Sequence, residues 1–485
     1  MIHSGKNRRP CRAGPGEAIL LALSGRPCGL ENCEAEVWHS WPGGDTASTD
    51  TVVGRRTHDA SVEALTSSGS EAWRQRDASV VWHGFTAMAA WSDREPIMVA
   101  AAEGHDLIDV DGRRYLDAIS SLWVNTLGHR VPELDQALRD QIDLVAHSTM
   151  LGHGNRVVVE LAEALAAVVP VERPHFLFAS DGSSAVEAAL KLAVQFWQLC
   201  GQEKRRRFMG FGGGYHGDTV GATSVGDPAS AAGGRTIGDF GALRFEVLRA
   251  PHFDEPDCFD RAAAMVAAHA EVLAAVVVEP LVQGAAGMRM APPAAFAAFA
   301  AACRRADVLM IIDEVATGFG RTGTLFATDQ CGFDADLLCL GKGLTGGYLP
   351  MAATVASGRI FDAFAGHTFL HGHSYGGNAL AAAVALRHLR LLAERDILAN
   401  VAERSAQLRR GLSERVGLDF RLLGLMAGVD APVGTGATVC AEAVRRGVLL
   451  RPLGDVIVVM PPLSVTADEI DRIVDVLAAA VAAQV

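Results

Sequence analysis

The chain has 485 residues, 49% hydrophobic, 20% charged and 6% aromatic, the balance of a globular protein with room for more than one packed unit rather than of a disordered or membrane-embedded chain. Its 43 Lys and Arg against 56 Asp and Glu leave a formal charge of −13, and the one basic cluster, Lys204 to Arg207, reads as a solvated helix end, which argues against nucleic acid as a partner. Nine scattered cysteines without a CxxC pair indicate neither a disulfide framework nor a metal site, and with no membrane-length apolar run they point to a reducing, cytoplasmic setting.

Residues 1–75 are rich in Gly, Ser, Thr, Arg and Pro without sustained periodicity, and are expected to form a disordered extension. Within them AILLALSG is too short, and too polar in its flanks, for a convincing secretory signal. From about residue 170 onward a different plan repeats: a short apolar strand, a polar or glycine-rich turn, then a helical pattern. Such alternation means an α/β fold with a mainly parallel sheet, and these sheets gather their ligands at the carboxyl ends of the strands.

The strand ends carry chemistry. HFLFAS runs into Asp181, Gly182, Ser183 and Ser184 and then into a helix, so Gly182 and Ser183 lie at a helix start where free N–H groups favour an anion, unless Ser183 merely caps it. RRFMGF ends in three glycines followed by Tyr215 and His216, an aromatic face on a flexible frame. LAAVVVEP ends in Glu279, and VLMIIDEV ends in Asp313 and Glu314. A carboxylate closing an apolar strand is costly unless paired, so Asp313 is expected to meet a cation or a protonated nitrogen. LLCLGK ends in Lys342, set between two glycines that leave room for close approach. An anion site, a ring, a buried carboxylate and a lysine on one sheet edge suit pyridoxal 5'-phosphate, with Asp313 on its pyridine nitrogen and Lys342 on its aldehyde.

IIDEVATGFGRTG (311–323) together with GKGLTGGYLP resembles the class III, fold type I aminotransferases, which use pyridoxal phosphate, and the resemblance extends over roughly residues 80–485. It implies an N-terminal segment over 76–130 that joins the small domain, a large cofactor-binding domain over 131–379 with a mainly parallel sheet, and a smaller α/β domain over 380–485. WHGFTAM, SSLWVNTLGH, GGYHGDTVGATSVGDP, EPLVQGAAGMRM and HGHSYGGNAL narrow it to the branch that aminates 8-amino-7-oxononanoate on the way to biotin. Carried onto matching positions, the resemblance implies Lys342 as the cofactor-linked lysine, Asp313 as the pyridine-nitrogen partner and Tyr215 as the stacking ring. It further implies Gly182 with Ser183 at the phosphate, Ser374 reaching the phosphate of a neighbouring subunit in a homodimer, and Trp123 and Arg451 on the substrate, with Arg451 taking its carboxylate.

Leu122 stands where the family has the first of two tandem tryptophans, Phe85 where some members have tyrosine, and His373 where some have proline. Loss of a ring at Leu122 leans the amino donor toward L-lysine and away from S-adenosylmethionine, whose sulfonium gains from aromatic faces. A broad ω-aminotransferase is the alternative enzyme, and an inactive binding relative would have lost Lys342 or Asp313, both of which are present.

Overall fold

The computed structural model describes residues 69–91, 94–227 and 237–484. The extension expected over residues 1–75 lies outside these as far as 68, and its last residues open helix α1 (Ser70–Val80), which buries no side chain. The described residues fall into two compact units, one of 69–101 with 108–114 and one of 102–107 with 115–484.

The larger unit is built on a seven-stranded sheet: β1 (His175–Ala179), β2 (Arg207–Gly212), β3 (Val247–His252), β4 (Leu273–Val278), β5 (Leu309–Asp313), β6 (Leu337–Leu340) and β7 (Ala352–Ala356). The spatial order is β1-β7-β6-β5-β4-β2-β3. All neighbouring pairs are parallel except those made by β7, which runs against both β6 and β1. The apolar runs follow from burial on both faces: in β5, Met310 and Ile312 join one core cluster and Leu309 and Ile311 the other, and Val276 and Val277 of β4 divide the same way. Helices cover those faces, among them α2 (Gly182–Leu199), α3 (Cys258–His269) and α4 (Pro293–Arg305). Because β1, β2, β4, β5 and β6 all point one way, the residues that follow them gather at one edge.

Helix α5 (Ala379–Glu394), capped by the Asn378 side chain, then leads into residues that hold a second sheet. Its strands β8 (Phe420–Leu423), β9 (Met426–Asp430), β10 (Arg451–Leu453) and β11 (Val456–Val459) are antiparallel in the order β8-β9-β11-β10. The chain closes with α6 (Ala467–Ala482), which opens on a Thr466/Glu469 capping box and buries Ile470, Ile473, Val474 and Leu477. No helix among the described residues is long and apolar enough to cross a membrane.

Candidate active site

At the end of β1, Asp181 rather than Ser183 caps α2: its carboxylate accepts from the Ser184 N–H at 2.9 Å and from the Ser184 hydroxyl at 2.9 Å. Ser183 is thereby released, and its Oγ lies 2.6 Å from Thr219 Oγ1 while accepting from the Thr219 N–H at 3.0 Å. Position 182 must be glycine for a packing reason, since a Cβ there would stand 2.6 Å from Val315 Cγ1. The first turn of α2 therefore keeps unpaired N–H groups, a hydroxyl pair and the positive end of a helix dipole.

Tyr215, beyond β2, donates its backbone N–H to Glu279 at 3.1 Å and its hydroxyl to Asp218 at 3.0 Å, and burial together with Asp218 pushes the phenol well above its ordinary value. His216 turns inward. Its Nδ1 lies 2.7 Å from Asp313 Oδ2, with His216 4% and Asp313 5% exposed, while the Val315 N–H donates to the other Asp313 oxygen at 3.1 Å. Part of the partner expected for Asp313 is thus a ring nitrogen of the protein itself. Glu279 accepts from the Tyr215 and Gly284 amides, and burial raises its carboxyl to about 7, a rise that His216 opposes and Asp313 reinforces.

Lys342 follows β6 and is partly buried. Burial lowers its pKa against the pull of Asp313 and Glu279, and its Nζ sits 5.0 Å from the centre of the Trp123 ring. Its flanking glycines serve chain packing: a Cβ at Gly341 would meet Val315 at 3.2 Å, and one at Gly343 would meet Phe319 at 3.2 Å and Thr126 at 3.4 Å. Lys342 itself has φ of 41°, a left-handed conformation that only strong surroundings hold in a residue with a Cβ.

Trp123 reaches the same space from a turn of unusual backbone. Ser120, Ser121, Leu122 and Trp123 have φ of 51°, 46°, 71° and 69°, a left-handed turn costing roughly 1–2 kcal/mol per residue. Buried polar groups hold it: Asp117 accepts from the Ser121 N–H at 2.9 Å and the Ser121 hydroxyl at 2.7 Å, and Ser120 Oγ donates to the Met460 carbonyl at 2.7 Å. Arg321, 2% exposed, donates to the Pro461 and Asn125 carbonyls and to Ser120 Oγ, and burial lowers its pKa to about 9.

These groups line one cavity of about 670 Å³. It unites six of the eight residues to which the resemblance gives site roles, Trp123, Gly182, Ser183, Tyr215, Asp313 and Lys342, with the strand-end residues Asp181, His216 and Glu279, and adds Asp218, Thr219 and Thr345. Ser374 and Arg451 lie outside its lining; Ser374 is exposed, and Arg451 is half-buried at the start of β10. Leu122 does not line it either and is 46% exposed. His216 was findable from sequence, because a strand-end carboxylate demanded a nitrogen partner and His216 followed the ring candidate directly. Arg321 left no such signal.

The family model of class III aminotransferases matches residues 87–481. The chain belongs to the class III aminotransferases. Among relatives, an adenosylmethionine-8-amino-7-oxononanoate aminotransferase of Nitratidesulfovibrio vulgaris is 43% identical over 84% of this chain and 81% of its own. The crystal structure of the enzyme of that name from Methanocaldococcus jannaschii superposes with a TM-score of 0.81 at 35% identity, over 86% of this chain and 99% of the other. A thermostable (S)-enantioselective omega-transaminase from Thermomicrobium roseum follows at 0.78 and 30%, over 86% and 99%. The fold is fold type I, and the cofactor of a class III aminotransferase is pyridoxal 5'-phosphate. The cavity fits it: Trp123 Nε1 and His216 Nε2 are buried on its wall without partners among the described residues, the α2 start suits a phosphate, and Asp313 and Lys342 line it together.

Proposed function

We propose that this class III aminotransferase converts 8-amino-7-oxononanoate to 7,8-diaminononanoate, a step toward biotin. The observation that carries the reading is the 43% identity, over most of both chains, to a relative that bears this activity in its name. Bound pyridoxal phosphate supplies an electron sink for the substrate carbon and a carrier for the amino group. Asp313, oriented by His216, would hold the pyridine nitrogen protonated; Tyr215 would cover the ring; and Gly182, Ser183 and Thr219 would take the phosphate. Lys342, whose charged form burial disfavours, is the base whose Nζ takes the proton from the substrate carbon and returns it. Arg451 makes no ion pair among the described residues, which suits a guanidinium that waits for the substrate carboxylate.

S-adenosylmethionine is the donor favoured here. The Trp123 face already receives an amine, Lys342 Nζ, at 5.0 Å, and Leu122, the basis of the lean toward lysine, lies outside the cavity wall. A homodimer is also proposed. Ser374 is bound through its carbonyl to His147 at 2.8 Å, and around it Leu151, Leu370 and Tyr375 are 62%, 87% and 64% exposed, an apolar face that suits a second copy whose cavity Ser374 would complete. A reducing, cytoplasmic setting is also proposed, from the cysteine usage and the lack of a membrane-length apolar run.

The test supplies purified enzyme with 8-amino-7-oxononanoate and either S-adenosylmethionine or L-lysine, and in parallel with a simple amine and pyruvate. Diaminononanoate with S-adenosylmethionine is expected, and Arg451→Ala should raise KM for the keto substrate at least tenfold, as loss of a bidentate charged contact does. Turnover of the simple amine without any diaminononanoate would replace the reading with a broad ω-transaminase. Sedimentation should show a dimer.

A further inference from the structure

Helix α5 is apolar on its inner face except at His388, which is fully buried. Its Nε2 lies 2.6 Å from Thr126 Oγ1, and the ring stands 6.2 Å from that of Phe319. Burial lowers its pKa to about 4, so the imidazole is neutral in the working enzyme, with the Leu344 backbone beside it. Leu344 belongs to the turn Lys342–Thr345. That turn is pressed onto the same two residues: a Cβ at Gly346 would come within 3.0 Å of His388 Cδ2 and 3.3 Å of Thr126 Oγ1. Thr126 in turn follows the left-handed Trp123 turn by three residues and is anchored from the other side by the Leu463 N–H, which donates to its carbonyl at 2.7 Å.

One buried histidine therefore touches both walls of the cavity, the turn that carries Lys342 and the segment that carries Trp123. We infer that His388 and Thr126 form a pin that sets where the Lys342 amine stands against the cofactor and the Trp123 ring, making both positioning residues for transamination. A bare structural role would need only a side chain that fills the space. The geometry supplies more: a short hydrogen bond between segments 262 residues apart, placed against a lysine turn whose φ of 41° at Lys342 does not hold itself.

The inference rests on Lys342 as the cofactor-linked lysine, and Lys342→Ala is the control, since it abolishes the pH-dependent visible absorption of the loaded enzyme if that assignment holds. Thr126→Val removes the hydroxyl at constant shape, and Thr126→Ser keeps it. Where Thr126→Val fails to fold because His388 is left unpaired, the double variant Thr126→Val/His388→Leu removes both partners together. The readouts are the midpoint of the pH titration of the visible absorption, kcat against KM, and the melting temperature of the apoprotein. Thr126→Val or the double variant should move the midpoint and lower kcat about 10- to 100-fold, with KM within about threefold, as a misplacement on the order of 1 Å does. Thr126→Ser should restore both. A midpoint and kcat that stay at the parent's values, whatever happens to the melting temperature, would overturn the inference and leave His388 a core residue.

Discussion

Replacing His216 by phenylalanine isolates the contact on which the proposed role of Asp313 depends. The Asp313 carboxylate is 5% exposed and accepts two hydrogen bonds, from His216 Nδ1 at 2.7 Å and from the Val315 N–H at 3.1 Å. Phenylalanine fills the imidazole's place but donates nothing, so one of two bonds to a buried carboxylate disappears. A hydrogen bond to a charged group contributes roughly 1.5–3 kcal/mol, and at about 1.4 kcal/mol per decade this becomes a 10- to 100-fold loss wherever the oriented carboxylate is used. The apoprotein should suffer less, because the variant also removes His216 Nε2, a buried polar atom without a partner among the described residues. The assay is titration of apoprotein with pyridoxal phosphate alongside single-turnover rates. Affinity should fall 10- to 100-fold in His216→Phe, while His216→Asn, which offers a donor near the Nδ1 position, should stay within about threefold of the parent. Equal affinity and rate in His216→Phe and the parent would show that Asp313 needs no orienting donor, and the reasoning would fail.

Lys342→Met should abolish turnover yet make the apoprotein more stable at neutral pH. The folded-state pKa of Lys342 is depressed by burial, so the unfolded chain binds more protons between that value and the ordinary lysine value near 10.4; parent stability therefore rises with pH across the window, and melting curves of the variant should lack that slope. Arg321→Met should lower apoprotein stability by about 3 kcal/mol or more in denaturant titrations, because the Pro461 and Asn125 carbonyls and Ser120 Oγ lose their donor at once and the left-handed turn is released; a change under about 1 kcal/mol would mean the turn holds itself. Gly182→Ala should cost about 1–3 kcal/mol and weaken cofactor binding, since the new methyl meets Val315 Cγ1 at 2.6 Å, and adding Val315→Ala should recover most of both; no recovery would place the fault in the helix start itself.

What could be read from the sequence was whatever a local pattern carries. Strands buried on both faces must be continuous apolar runs, so β4, β5 and β6 stood out as LAAVVV, LMIID and LLCL, and the groups just past them shared an edge because parallel strands point the same way. Asp313 and Lys342 were visible because a charge at the close of such a run is costly without a purpose. Tertiary structure alone decided the rest, since each remaining feature joins residues far apart in the chain or depends on which of two neighbours finds a partner first. Asp181 took the cap and left Ser183 to Thr219; His216 met Asp313 across 97 residues; Thr126 met His388 across 262. Nothing in SSLW announces four left-handed residues, because that backbone is unfavourable by itself and persists only where Asp117, Met460 and Arg321 converge on it.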